Sequence, residues 1–122
     1  ETVQDFPVKC CVKQSILGAY SANTYIAMDE QTAIAFASRY VKYSFNEYDE
    51  YVQASLEDFL NLQNGLFTVN VSNDSSTELT LVPPEQITDD KLSFSVSTGH
   101  IPILYPFGEL HFFIELLQSP EA

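Results

Sequence analysis

A chain of 122 residues, 45% of them apolar, with nine Phe, seven Tyr and no Trp, has the material for one buried core and is too apolar for a disordered tail. Seventeen Asp and Glu against five Lys and Arg give a formal charge of −12, which sets the surface against nucleic-acid phosphates and anionic lipid headgroups and excludes both as partners. No run reaches the ~18 apolar residues of a membrane span and no basic-then-apolar signal opens the chain, so a cytoplasmic protein is expected.

Residues 8–15 and 20–28 are rich in β-branched and aromatic side chains and flank the turn-like Leu17-Gly18-Ala19, which predicts two antiparallel strands. Cys10 and Cys11 are neighbours in the first of them. Successive strand residues point to opposite faces, so a disulfide between the two is not expected, and without CxxC spacing or a His cluster they read as packing residues of a reduced protein. Asp29 stands as an N-cap before Glu30, and Ala33, Phe36, Ala37, Tyr40 and Val41 recur at helical spacing, predicting a helix near 30–42.

Asn46 followed by Asp49 resembles a capping box, and Tyr48, Val52, Ser55, Leu56, Phe59 and Leu62 form an inward stripe ahead of Asn64-Gly65, predicting a second helix over about 47–64. Tyr40, Tyr43, Phe45, Tyr48 and Tyr51 fall across the junction of the two helices and are expected to form a packed aromatic corner. Alternation in 66–71 and 79–82 predicts a hairpin with 72–77 at its tip, stopped by Pro83-Pro84 because proline cannot donate to a ladder. Residues 92–96, 100–105 and 110–117 predict three more strands, with Leu110, Phe112, Ile114 and Leu116 on one face of the last. The order is ββαα followed by five strands, an α+β fold in which an antiparallel sheet packs against a pair of helices.

Polar residues of the second helix need an account apart from packing. At about 100° per residue, Asp58 falls about 60° to one side of Asn61 and Glu57 about 40° to the other, so two carboxylates flank one carboxamide on a single face. A carboxamide can donate to a water and accept from it, which fixes the water's orientation, while a carboxylate can grip a partner's cation. Such a pair suits hydrolysis of a phosphoryl group carried by another protein, because that chemistry rests on positioning and electrostatics. Acidic and amide residues on a helix are also commonly just solvated. His100 opens a strand, and on the polar side of the last strand a Glu-His-Glu face made by Glu109, His111 and Glu115 could hold a metal, but mixed charge on an exposed strand is more commonly solvated and no metal is expected. There is neither a Gly-x-Ser-x-Gly elbow nor a Gly-rich phosphate loop.

The run Asp58-Phe59-Leu60-Asn61-Leu62-Gln63-Asn64-Gly65, with Pro84 placed after the intervening residues 62–83, resembles the active-site pattern of the CheC/CheX/FliY phosphatase family, (D/S)xxxExxN followed at that distance by Pro. Tyr25-Ile26-Ala27-Met28 leading into Thr32-Ala33-Ile34-Ala35 is similar to that family's strand and Thr-Ala helix. Ile103-Leu104-Tyr105-Pro106-Phe107-Gly108, leading into the final strand, is similar to the closing Pro-Phe turn of CheX. The similarity runs from about residue 8 to residue 117 and departs at two motif positions, where Asp58 stands for Glu and Ala54 for Asp or Ser, which weakens or removes the contact to a receiver's lysine.

The resemblance implies one CheX-like domain over 1–122. Because Glu1 is not a methionine, this domain is read as the C-terminal part of a longer protein. It implies docking on a phosphorylated CheY-type response regulator and hydrolysis of its aspartyl phosphate, with Asn61 and Asp58 catalytic and Glu57, Ala54 and Pro84 at the binding surface. It further implies Mg²⁺ on the receiver and no cofactor in this chain, and a homodimer paired across a sheet edge. The alternative reading is a non-catalytic interaction or dimerisation module that keeps the scaffold.

Overall fold

The computed structural model describes residues 3–7, 9–19, 21–75, 78–89, 91–95 and 97–117. Strands β1 (Val3–Pro7), β2 (Cys10–Gly18) and β3 (Ser21–Met28) precede helices α1 (Glu30–Val41) and α2 (Glu50–Ser75). Then come β4 (Leu79–Leu81), β5 (Glu85–Ile87), β6 (Lys91–Ser95), β7 (Gly99–Tyr105) and β8 (Gly108–Leu117). The main sheet runs β4-β2-β3-β8-β7, with β5 beside β4 along the same edge of β2, and β1 and β6 form a separate ribbon. Every pairing is antiparallel.

Alternation along β2 and β3 builds two cores, one on each face of the sheet. Cys10, Val12, Ile26, Met28 and Leu110 meet Ala33, Phe36 and Ala37 of α1 and Val52, Leu56 and Leu60 of α2. On the opposite face Cys11, Tyr25, Ala27 and Phe113 meet Phe94 of the β1–β6 ribbon. Each fully buried Leu or Ile contributes on the order of 2 kcal/mol by leaving water. The two cysteines therefore do point to opposite faces, and both are free and buried.

Burial pushes the Cys10 thiol up to about 11 and the Cys11 thiol to about 12. Burial, then the nearby Glu115 carboxylate, pushes the Tyr25 phenol to about 12. In all three the folded state favours the neutral form. Below pH 9.0, the ordinary thiol value, neither state ionises and the contribution of these groups is whole; above it the unfolded chain releases protons first and stability falls until the folded values are passed. The melting temperature in reducing buffer is expected to hold level to about pH 8.5 and to drop steadily above about pH 9, and Cys11→Ala should shallow that drop. A level melting temperature up to about pH 11 would refute it.

Helix α1 begins where its sequence says: Asp29 Oδ1 accepts from the Thr32 backbone N–H at 2.8 Å, a bond that also lowers the Asp29 pKa. It ends with Lys42 in the left-handed conformation (φ 59°), and Ser38 O accepts from the Tyr43 backbone N–H.

Helix α2 corrects the sequence reading at both ends. Its cap is Asp49, whose Oδ1 accepts from the backbone N–H groups of Tyr51 and Val52, not Asn46. At the other end Asn64-Gly65 does not terminate it. The Asn64 side chain is 4% exposed and spent on tertiary hydrogen bonds, leaving nothing local to cap the helix, and the chain continues helical through Ser75. Residues 66–71 are thus helix rather than strand, and β4 pairs with β2 in place of the expected hairpin partner. Strands β1 and β5 were not expected. Residues 76, 77 and 96 of the expected tip and strand lie outside the described residues, as do 8 and 20 of the first two strands. No helix among the described residues is long and apolar enough to cross a membrane.

Candidate functional site

The five residues singled out on and after the second helix meet in one place. Ala54, Glu57, Asp58 and Asn61 on α2 face Leu81, Val82, Pro83 and Pro84 across an open groove of about 460 Å³. The helix supplies the first four at the expected spacing. β4 ends at Leu81 because Pro83-Pro84 cannot continue the ladder, so the chain crosses directly opposite Asn61 before β5 resumes pairing with β2.

Each carboxylate is held by a neighbour. Asp58 Oδ2 accepts from the Tyr40 hydroxyl at 2.7 Å, and desolvation together with that bond raises the Tyr40 pKa. Glu57 Oε2 accepts from Gln86 Nε2 at 2.6 Å, and the same nitrogen reaches Gln53 O at 3.4 Å. Gln86 lies in β5, so this short strand exists at the place where it can tie the groove's far wall to the helix.

Asn61 is exposed at the groove, yet its side chain is not loose. Its Oδ1 accepts from Gln14 Nε2 at 2.7 Å, and that nitrogen also donates to Val82 O at 2.9 Å. Gln14 Oε1 accepts from Asn64 Nδ2 at 2.8 Å, which also donates to Thr24 Oγ1 at 2.8 Å; the Thr24 hydroxyl donates to Gln14 O at 2.8 Å. Gln14, Thr24 and Asn64 are all buried, forming a satisfied polar chain between the sheet and α2. Gln14 and Asn64 went unread as site residues. The signal was present: Gln14 is a polar residue on the inward parity Cys10, Val12, Ile16 of β2.

The aromatic corner adjoins this groove through Ala54 and Asp58, whereas the histidines are not part of its lining. Of the expected aromatic corner, Tyr40 stacks on Phe36 and meets Phe59 edge-on, and Tyr43 meets Phe45 edge-on. Tyr43 and Tyr51 are exposed, however, and line an open groove of about 750 Å³ with Asp49, Ala54 and Asp58, because the linker between the helices leaves the corner unfilled. His111 Nδ1 lies 2.9 Å from His100 Nε2, and its Nε2 lies 3.1 Å from Glu109 Oε1. Glu115 instead turns toward Asn23 and Tyr25, so the imagined Glu-His-Glu face is not assembled. Among the described residues no group of three or more His, Cys, Asp or Glu is placed to hold a metal ion.

No family model matches the sequence, and no curated protein matches it. Solved structures do match. The chemotaxis protein CheX of Vibrio vulnificus superposes with a TM-score of 0.76 at 14% identity, over 92% of this chain and 78% of that one. A complex of CheX and CheY with BeF3 and Mg²⁺ from Borrelia burgdorferi gives 0.76 at 17% identity, over 97% and 82%. A CheC-like protein of Shewanella oneidensis gives 0.74 at 11% identity, over 95% and 82%. This chain therefore has the α+β fold of the CheX and CheC-like chemotaxis proteins, an antiparallel sheet carrying two helices.

Proposed function

We propose that this domain docks on a phosphorylated CheY-type receiver and hydrolyses its aspartyl phosphate. The observation that carries the reading is the groove that gathers Asn61, Asp58, Glu57, Ala54 and Pro84, on a fold shared with a CheX described in complex with CheY. In this reading Asn61 orients the attacking water, whose oxygen bonds to phosphorus as the aspartyl O–P bond breaks, giving a free carboxylate and inorganic phosphate. Asp58 meets the receiver's lysine; an ionised carboxylate accepts about four hydrogen bonds, so the Tyr40 hydroxyl does not exhaust it. Mg²⁺ belongs to the receiver, not to this chain. Fixed geometry is what such a site supplies, since phosphoryl transfer is governed by positioning and electrostatics.

A second reading, a non-catalytic module that binds a receiver or pairs with itself, is favoured by Ala54, which offers the groove no polar group, and by Asp58, one methylene shorter than the family's Glu. Pairing of two copies would use β7, which ends the sheet and exposes Ile101, Ile103 and Leu104. Both readings place the protein in the cytoplasm with its receiver.

The test is phosphate release from phosphorylated CheY-type receivers in Mg²⁺, alongside binding of the same receivers with and without beryllofluoride. Faster release supports the phosphatase. Binding without faster release supports the second reading; neither effect with any receiver refutes the phosphatase and receiver binding alike, and a monomer in sedimentation equilibrium then refutes self-pairing as well.

A further inference from the structure

We propose that Gln14 is a positioning residue that sets the sense of the Asn61 carboxamide, turning its nitrogen toward the bound receiver; this rests on the phosphatase reading above. Two backbone carbonyls, which can only accept, fix the polarity of the whole chain of amides. Val82 O is met by the Gln14 side chain at 2.9 Å, so the end of Gln14 beside it is the nitrogen. The Asn61 atom 2.7 Å from that nitrogen must then be an acceptor, Oδ1.

The far end of the chain gives the same polarity independently. Gln14 O takes the Thr24 hydroxyl proton, which leaves Thr24 Oγ1 as an acceptor for Asn64 Nδ2. Asn64 Nδ2 in turn needs an oxygen from Gln14, and Oε1 is the atom that faces it at 2.8 Å. Reversing any one of these amides sets two acceptors or two donors against each other, in a buried place at Gln14 and Asn64 and in a part-buried one at Asn61, and leaves the facing polar groups unpaired. Gln14 is 1% exposed, Thr24 1% and Asn64 4%, so water cannot substitute freely for a lost partner.

At the exposed end, Asn61 therefore has its oxygen committed inward and its Nδ2 on the groove side, opposite Pro84. An asparagine on a helix surface without such a tether presents either end of its amide. Here the donor is pre-set, so Asn61 acts through its N–H groups on the water oxygen or a phosphoryl oxygen, and no reorientation is needed when the receiver docks. The same bond explains the place of the proline pair: Val82, the residue before Pro83-Pro84, supplies the carbonyl that fixes Gln14.

The experiment compares phosphate release by the whole chain and by Gln14→Leu, with and without Asn61→Ala. Gln14→Leu should slow release at saturating receiver by ~10-fold, leave the half-saturating receiver concentration within ~2-fold, and add nothing in the Asn61→Ala background. Equal slowing in both backgrounds, or a shift in half-saturation alone, makes Gln14 merely structural and overturns the proposal. If Gln14→Leu does not fold, side-chain amide exchange in the wild-type protein decides: the Gln14 amide protons should exchange at least ~10-fold more slowly than those of exposed Gln63, and equal rates overturn it. A wild-type domain that speeds release from no receiver refutes the phosphatase reading, and the positioning role falls with it; wild-type activity combined with additive Gln14 and Asn61 effects refutes the positioning role alone.

Discussion

Asn61→Ala is expected to remove the acceleration of phosphate release almost entirely, by ~10²–10³-fold, the usual loss when a single pre-set hydrogen-bond donor is taken from a reaction centre. The fold should survive. Asn61 is exposed on α2, and Gln14 Nε2 keeps its bond to Val82 O when the Asn61 oxygen is gone, so the stability cost is about 1 kcal/mol. The substitution thus separates chemistry from folding more cleanly than any change at Asp58, whose carboxylate also holds Tyr40. Asn61→Asp should be as slow as alanine. It keeps the oxygen that Gln14 needs but offers the groove a second oxygen, which accepts where a donor is required and repels a phosphoryl group. Phosphate release at saturating receiver, with thermal melting of each variant, checks both points; an Asn61→Ala domain that still accelerates release removes Asn61 from the mechanism.

The site was half legible from sequence for a definite reason. Asp58, Glu57 and Asn61 lie within one turn and a half of helix, where periodicity alone places them on one face. Gln14 and Asn61 are 47 residues apart, and only the docking of α2 on β2 brings them together. Pro84 entered through the family spacing, and its physical role, ending β4 so that Val82 O stands over Gln14, needs the sheet register to be seen.

The fold divides the same way. Strong alternation and the Asp29 cap made β3, α1, β7 and β8 readable. The second half of α2 was not, because Asn64-Gly65 is a stop signal and Phe67, Thr68, Val69 and Val71 favour strands. Burial of Asn64 against Gln14 and Thr24 overrides both preferences, and Thr68 Oγ1 donates back to Gly65 O within the helix. β5 has three residues and, among the described residues, β1 pairs only with the distant β6, so neither carries a local pattern long enough to read.

Gly108→Ala should be the most damaging single-methyl change in the described chain. Gly108 opens β8 at φ +152°, a conformation that side chains rarely adopt, and a Cβ there would overlap the Thr32 hydroxyl and stand 2.9 Å from Thr32 Cβ and Cγ2. Thr32 is 2% exposed and sits in the first turn of α1, its N–H held by Asp29, so it cannot swing aside without disturbing the helix cap. Backbone strain and overpacking then add at one point, and a loss of about 3–5 kcal/mol is expected. For a domain of this size that is a fall in melting temperature of ~10–25 °C. The two causes can be separated. Thr32→Ala removes the hydroxyl and Cγ2 but leaves Cβ and the positive φ, so Gly108→Ala should cost about half as much in that background as in the native one. Thermal melting of the four proteins measures this directly; a native-like melting temperature for Gly108→Ala would mean that the turn between β7 and β8 is not clamped against the start of α1.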